Sequence, residues 1–405
     1  MCAILLAVFA AVPAPLFERH LIDRLPGGYQ VAVADVNGDG RADVIALSTD
    51  SSRVEWYENP SWTRHTLATL QRPIDLACRD VDGDGRPEIA LAAGFYFNQS
   101  DRGGELWLLK SKRDRGQAWD ALPIGRDPVT HRVRWADVRG DGRPVLIHAP
   151  IFGPGSQGAT APKPAHLWAF VPPKESRSAS WNVWKIDETL TVLHGLWVGD
   201  LDGDGRDEIL TASYEGIFRF DWEPGPAGSG SAAGEAAGRW AKSRLAEGAP
   251  PAGGAPGASR GSSEVCVGRM APNRLFIAAI EPWHGNQVVI YTPSSPPQTW
   301  KRHVLDTTLE EGHALVAADF DGDGQDELVA GWRGGQRGLR LYDPADPEFR
   351  HFQTIDLDQG IAVEGVAVAD LNADGRLDLV AVAGRTAELV WYENRAEAAK
   401  PAARR

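Results

Sequence analysis

The sequence predicts an all-β fold, a seven-bladed β-propeller closed by its own N-terminal strand, and three observations predict it. An acidic loop of the form DxDGDGxxE returns along most of the 405 residues. The copies are flanked by short apolar runs, four to a unit, which is the content of one propeller blade. The last unit is one run short, and the N-terminus has one run to spare.

The loops set the repeat. Their first aspartates are Asp35, Asp80, Asp137, Asp200, Asp319 and Asp370, at steps of 45, 57, 63, 119 and 51 residues. The longest step holds two units, because "EVCVGRMAPNRLFIAAI" keeps the two strands of a hairpin and has lost the acidic loop between them. Seven units result. In each, a strand such as "VAVA" or "LWVG" enters the loop, "DVIAL" or "EILTA" leaves it, "VEWYEN" or "LRLYDP" follows, and "WTRHTL" or "WKRHVL" comes last. The final unit stops at "AELVWYENR", and "FERHLID" at residues 17–23 is a fourth strand without a blade. Joining the two leaves no open sheet edge.

Around residues 17–395 of propeller lie segments of other character. Residues 1–14 are apolar and end in small residues, like a secretory signal, and predict a periplasmic or extracellular protein. The stretch is too short to span a bilayer, so no stable membrane insertion is expected. Residues 224–238 and 247–262 are rich in Gly, Ala, Ser and Pro and read as surface insertions; residues 151–165 begin where a second strand ends and are placed to roof a pocket. Residues 396–405 form a tail. A net charge of −13 argues against nucleic acid as a partner, and three cysteines (Cys2, Cys78, Cys266) cannot make a disulfide framework.

The loops follow calcium chemistry, with hard oxygens at alternating positions, a glycine at the turn, one inward carbonyl and a closing carboxylate. In loop one these are Asp35, Asn37, Asp39, the Arg41 carbonyl and Asp43. Loop two offers Asp80, Asp82, Asp84, Arg86 and Glu88; loop four offers Asp200, Asp202, Asp204, Arg206 and Glu208. Loop six has Asp319, Asp321, Asp323, Gln325 and Glu327, and loop seven has Asp370, Asn372, Asp374, Arg376 and Asp378. Up to five structural Ca2+ ions are expected. Loop three, with Arg139 and Val145 at ligand positions, is expected to hold none. The competing reading is that Asp and Asn only satisfy turn amides.

Function is sought where the units differ. Six residues before the first aspartates stand Tyr29, Ile74, His131, His194, His313 and Glu364, with Ser263 or Glu264 in the decayed unit. Equivalent blade positions share one height around the axis, so these side chains converge at one channel mouth. The second strand ends on the same face and adds His148, Tyr214, Glu281, His284, Arg333 and Arg385; Asp75, Arg132 and Arg134 border it. Trp197, Tyr214, Trp283 and Trp332 are expected to offer stacking for sugar rings. By contrast His20, His65, His303 and His351 recur in the fourth strand, the pattern of outer-wall packing.

Such a ring suits elimination. A histidine among His131, His194 and His313 would take the carbon-bound proton, Tyr214 or another histidine would return one, and Arg333 would stabilise an enolate, with Glu364 completing the set. Three imidazoles and a carboxylate could equally hold Zn2+ or another divalent ion. Tyr29, Asp75, Arg134, His148, Trp197, Glu281, His284, Trp332 and Arg385 are the expected substrate contacts. A non-catalytic carbohydrate- or protein-binding propeller is the alternative.

The DxDGDGxxE units resemble the FG-GAP or VCBS repeat family over about residues 17–395. Within it, "HRVRWADVRGDGRPVLIHAPIFGPG", "LHGLWVGDLDGDGRDEILTA" and "GHALVAADFDGDGQDELVAGWR" are similar to the propeller domain of aldos-2-ulose dehydratases. The resemblance implies loss of water from keto or anhydro sugars, with substrate contact at His131, His194, His313 and Arg333. The cupin and lectin-like modules that accompany the later isomerisation in that family have no counterpart in the sequence, so only the dehydration half is implied. Polysaccharide lyases with similar repeats keep uronic-acid sugars open as substrates.

Overall fold

Twenty-eight strands among the described residues, numbered β1 to β28 in chain order, make seven antiparallel sheets of four. The computed structural model describes residues 17–112, 118–173, 181–225, 238–251, 253, 258–271, 274–294 and 300–396. The 1–14 segment, nearly all of 224–238, part of 247–262 and the tail after Ala396 lie outside them.

Burial follows each strand's place in its blade. The innermost strands are β2 (Gly28–Ala34), β6 (Asp75–Arg79), β10 (Thr130–Ala136), β14 (Gly195–Gly199), β18 (Val265–Ala271), β22 (Gly312–Ala318) and β26 (Gly365–Ala369). Second strands such as β3 (Asp43–Ser48), β11 (Val145–Pro150), β15 (Glu208–Ser213) and β27 (Asp378–Ala383) are buried at every residue. They read as continuous apolar runs because a blade is covered on both faces by its neighbours. The outermost strands alternate or lie largely in solvent, as in β5 (Thr63–Thr69).

The fourth-strand histidines have structural partners. His65 stacks on Trp56 at 4.4 Å and meets Glu58 at 3.1 Å; His20 lies on Trp391 and meets Glu393 at 2.9 Å. His303 meets Thr292, while His351 departs from the expected pattern: it stands one residue before the outer strand Phe352–Gln359, exposed, and meets Asp346.

The ring closes as the strand count requires. β1 (Phe17–Asp23) pairs antiparallel with β28 (Glu388–Asn394), from Phe17 opposite Asn394 to Asp23 opposite Leu389. Two asparagines tie neighbouring blades on the loop side. Asn59 of blade one donates to the Leu371 carbonyl of blade seven at 2.6 Å, and Asn394 of blade seven donates to the Phe320 carbonyl of blade six at 2.6 Å.

The two hairpins that lack the full acidic set are clamped by the next blade. Asp207 accepts the Asp137 amide at 2.6 Å and donates its own amide to the Asp137 carbonyl; Asp326 does the same with Arg269, at 2.8 Å each way.

In the acidic loops, the first aspartate accepts turn amides: Asp35 from Gly38, Asp39 and Gly40, and Asp80, Asp200, Asp319 and Asp370 in like manner. The aspartate at the third ligand position accepts the amide of Arg41, Arg86, Arg206, Gln325 or Arg376. The closing residue divides the loops into two kinds. Asp43 and Asp378 each give both oxygens to backbone amides, Asp43 to Val36 and Asn59, Asp378 to Leu371 and Asn394. The longer Glu88, Glu208 and Glu327 spend one oxygen on an amide and bring the other near two aspartates. Lys110 enters loop two between Asp82 and Glu88, and Arg219 enters loop four beside Asp202 at 2.5 Å. Loop six receives no such cation among the described residues. Burial and the neighbouring Asp321 charge push Glu327 up to about 9, and burial pushes Asp321 up to about 6.

Candidate active site at the channel mouth

Each ring residue is placed by the start of an inner strand. His194, Ile74 and Glu364 donate their amides to Ala212, Ala92 and Val382, each at 2.9 Å, just before β14, β6 and β26 begin. Tyr29, His131 and His313 sit where the pairing of β2, β10 and β22 with the next strand shifts register. A bulge re-aims its side chain, and these three side chains meet. The Tyr29 hydroxyl is 3.1 Å from His313 Nε2 and 3.3 Å from His131 Nε2.

A fourth imidazole completes the cluster. His284, on the turn after the strand Arg274–Glu281, faces His194 with the two Nε2 atoms 2.9 Å apart. Its ring centroid is 5.2 Å from that of His313, and the His131 and His194 centroids are 4.5 Å apart. Each of His194, His284 and His313 offers one nitrogen, and these atoms lie within 4.8 Å of one another. Glu364 binds Arg333 at 2.5 Å, Glu311 takes the Arg333 Nε at 3.2 Å, and Arg385 ties Glu311 and the Arg333 carbonyl into the rim.

The protons of part of this cluster can be assigned. His313 Nδ1 lies 2.7 Å from the Glu364 carbonyl, which can only accept, so Nδ1 carries the proton and Nε2 a lone pair. Tyr29 therefore donates to His313, and its oxygen also lies 3.3 Å from His131 Nε2. Burial, reinforced by Arg132, Arg333 or the other imidazoles, holds His131, His284 and His313 well below the usual histidine range. They are neutral at neutral pH, as metal ligands and bases must be. Burial lifts the Tyr29 hydroxyl to about 12. It works to raise Glu264 too, but Arg132 and His194 outweigh it and hold that carboxyl below its ordinary value.

An aromatic wall flanks the cluster on one side. Trp283 stacks on His284 at 4.4 Å and lies parallel to Phe97, 6.4 Å away, while Phe95 borders His131 at 5.7 Å. Ile151 and Phe152, at the start of the 151–165 insertion, pack into this wall. Below the mouth a channel cavity of about 400 Å³ is lined by Arg132, Arg134, Glu264, His313 and Glu364.

Several expected site residues stand elsewhere. Tyr214 packs outside the cluster, edge-on to Trp283 at 6.0 Å with Arg260 over its ring, and makes no hydrogen bond to an imidazole among the described residues. His148 is fully buried against Thr130 at 2.8 Å, and burial drives it down to about 3. Glu281 is consumed by Tyr291, Ser262 and Arg302 inside blade five. Trp197 packs into the core between blades four and five, and Trp332 is buried with its indole N–H on the Gln336 carbonyl. Asp75 is buried under Gln30, Arg134 and the Val133 amide, so it and Arg134 shape the channel. Strand ends carried too little information to separate these from His284.

Comparison with known proteins places the chain. The model of the aldos-2-ulose dehydratase β-propeller domain matches residues 103–294, and that of the FG-GAP-like repeat matches residues 35–91 and 319–381. The chain is a seven-bladed FG-GAP-type propeller related to the aldos-2-ulose dehydratase propeller family. This propeller is 28% identical over 252 residues to the aldos-2-ulose dehydratase of Phanerodontia chrysosporium, which covers 57% of the chain and 26% of that enzyme. The propeller thus spans about a quarter of its relative's length. Its fold is also that of a chain in the crystal structure of BBS1N in complex with ARL6DN, at TM-score 0.57 and 12% identity, covering 96% of this chain and 99% of that one. The rhamnogalacturonan lyase PL11 of Bacillus licheniformis aligns over 95% of this chain and 74% of its own at 16% identity, with a TM-score of 0.45.

Proposed function

We propose that the propeller is a carbohydrate lyase or dehydratase that performs β-elimination on a keto or anhydro sugar, or on a uronic-acid sugar, at the histidine mouth. The observation that carries this reading is the convergence of four imidazoles, Tyr29 and the Arg333–Glu364 pair on one rim. Kinship with a dehydratase propeller supports it.

The geometry suggests a division of labour. His194, His284 and His313 fit a divalent ion such as Zn2+, since their nitrogens converge and burial favours the neutral form. Such an ion, when bound, supplies Lewis acidity toward a carbonyl. His131 is left outside that set, with Tyr29 beside it. His131 takes the proton from the carbon next to the carbonyl, and Tyr29 gives its proton to the departing oxygen, so water, or the next sugar of a uronic-acid chain as its alcohol, leaves and a carbon–carbon double bond forms. The proton on His131 then returns to Tyr29 across 3.3 Å. Arg333 faces the oxyanion that develops. Trp283 and Phe97 favour a second reading, a carbohydrate-binding mouth without chemistry.

A screen of 1,5-anhydrofructose, other keto sugars and uronic-acid polysaccharides for a new ultraviolet-absorbing enone or unsaturated uronide tests the proposal. Product formed by the wild type and lost in Tyr29→Phe, His194→Ala and His313→Ala supports elimination. Saturable sugar binding without product supports the binder, and full activity in all three variants would remove this site.

We also propose calcium for the acidic loops, loop six first. Its three carboxylates converge with no cation among the described residues, whereas an ion in loops two and four must displace Lys110 and Arg219. In loops one and seven the closing aspartates must give up backbone amides.

A further inference from the structure

Blade five has lost its acidic loop, yet the residue just before its inner strand lies at the height of the histidines. Glu264 Oε1 accepts from Arg132 Nη2 at 2.7 Å and lies 2.9 Å from His194 Nδ1. Arg132 is itself 3% exposed. A buried guanidinium holds the carboxylate in place, and the carboxylate faces the one nitrogen of His194 that points away from the cluster. Ser263 Oγ, 3.4 Å from the same nitrogen, offers the opposite arrangement, in which the hydroxyl donates and Nδ1 accepts. An anion at 2.9 Å is the stronger partner.

We propose that Glu264, clamped by Arg132, is a positioning residue that keeps the His194 proton on Nδ1 and so aims the Nε2 lone pair into the cluster. The inference rests on the reading of that cluster as the site. His313 reaches the same state through a different acceptor, the Glu364 carbonyl at 2.7 Å. Two rings fixed in one tautomer present two lone pairs together, as a divalent ion requires. The remaining ring, His284, has Arg333 Nη2 3.4 Å from its Nδ1, so in the metal-free state its Nε2 proton can bridge to His194.

The test uses the full chain with Zn2+ and Co2+ as probes. Long-range ¹H–¹⁵N spectra of the metal-free wild type, assigned with His194→Ala, should show His194 as the Nδ1–H tautomer. Glu264→Gln should weaken Zn2+ and Co2+ binding by about 10- to 100-fold and change the visible spectrum of any bound Co2+. Glu264→Asp should recover part of the affinity. An Nε2–H tautomer at His194 in the wild type would overturn the proposal even if the variant fails to fold, as would unchanged affinity in Glu264→Gln. A wild type that binds neither ion but shows the Nδ1–H tautomer would refute the metal reading and leave the positioning role standing.

Discussion

In the metal-free cluster the Tyr29 hydroxyl gives its one proton to His313 Nε2, and an ion held on that lone pair would turn the proton toward the substrate. That direction makes Tyr29 the residue whose loss should separate chemistry from binding. Tyr29→Phe is expected to lower kcat by roughly 10²- to 10⁴-fold with KM changed only a few-fold, measured on whichever sugar the screen yields. Tyr214→Phe, outside the cluster, should stay within a few-fold of wild type in both. The six-residue offset from each acidic loop made Tyr29, His131, His194 and His313 legible, because strand register fixes height around the axis. It could not show that bulges at Tyr29, His131 and His313 turn these three toward one another. His284 was visible only as a substrate contact, since it comes from a turn in the blade whose repeat has decayed.

Between strands, the loops differ at two positions: Asn37 and Asn372 in loops one and seven stand where Asp82, Asp202 and Asp321 stand in the others, and the closing residue is shorter by one methylene. Aspartate at the closing position gives both oxygens to backbone amides in loops one and seven; glutamate in two, four and six reaches the other carboxylates. This distinction was present in the sequence, but its effect depends on where the Asn59 and Asn394 amides lie. Loop six gives a pH prediction. Glu327 binds its proton more tightly in the fold, with a pKa raised from 4.5 to about 9, than in the unfolded chain. Its stabilising contribution is therefore complete below pH 4.5 and is lost as pH rises through about 9. In chelator, the melting temperature should fall across that window by an amount that Glu327→Gln reduces. Added calcium should flatten the same curve. The clamps on the decayed hairpins are a second test: Asp326→Ala leaves the Arg269 amide without its acceptor and should cost about 1–3 kcal/mol in a denaturant melt, with a similar loss for Asp207→Ala.

Over the whole molecule, the missing last strand and the spare first one were enough to predict the closed ring. Its tightness was not legible, because Asn59 and Asn394 reach carbonyls more than 70 residues away. Deleting residues 17–24 should expose the β28 edge, lower the melting temperature and produce concentration-dependent association in light scattering. The closure also orders events in time. Along the propeller β1 is made before every other strand, and its partner β28 emerges more than 360 residues later, so the first strand must wait, unpaired, until the last blade is made. The mouth inherits this delay, since Tyr29 comes from the first complete blade and Glu364 from the last. No partly made chain can hold the assembled rim, and the site comes into being in the same step that joins the two ends.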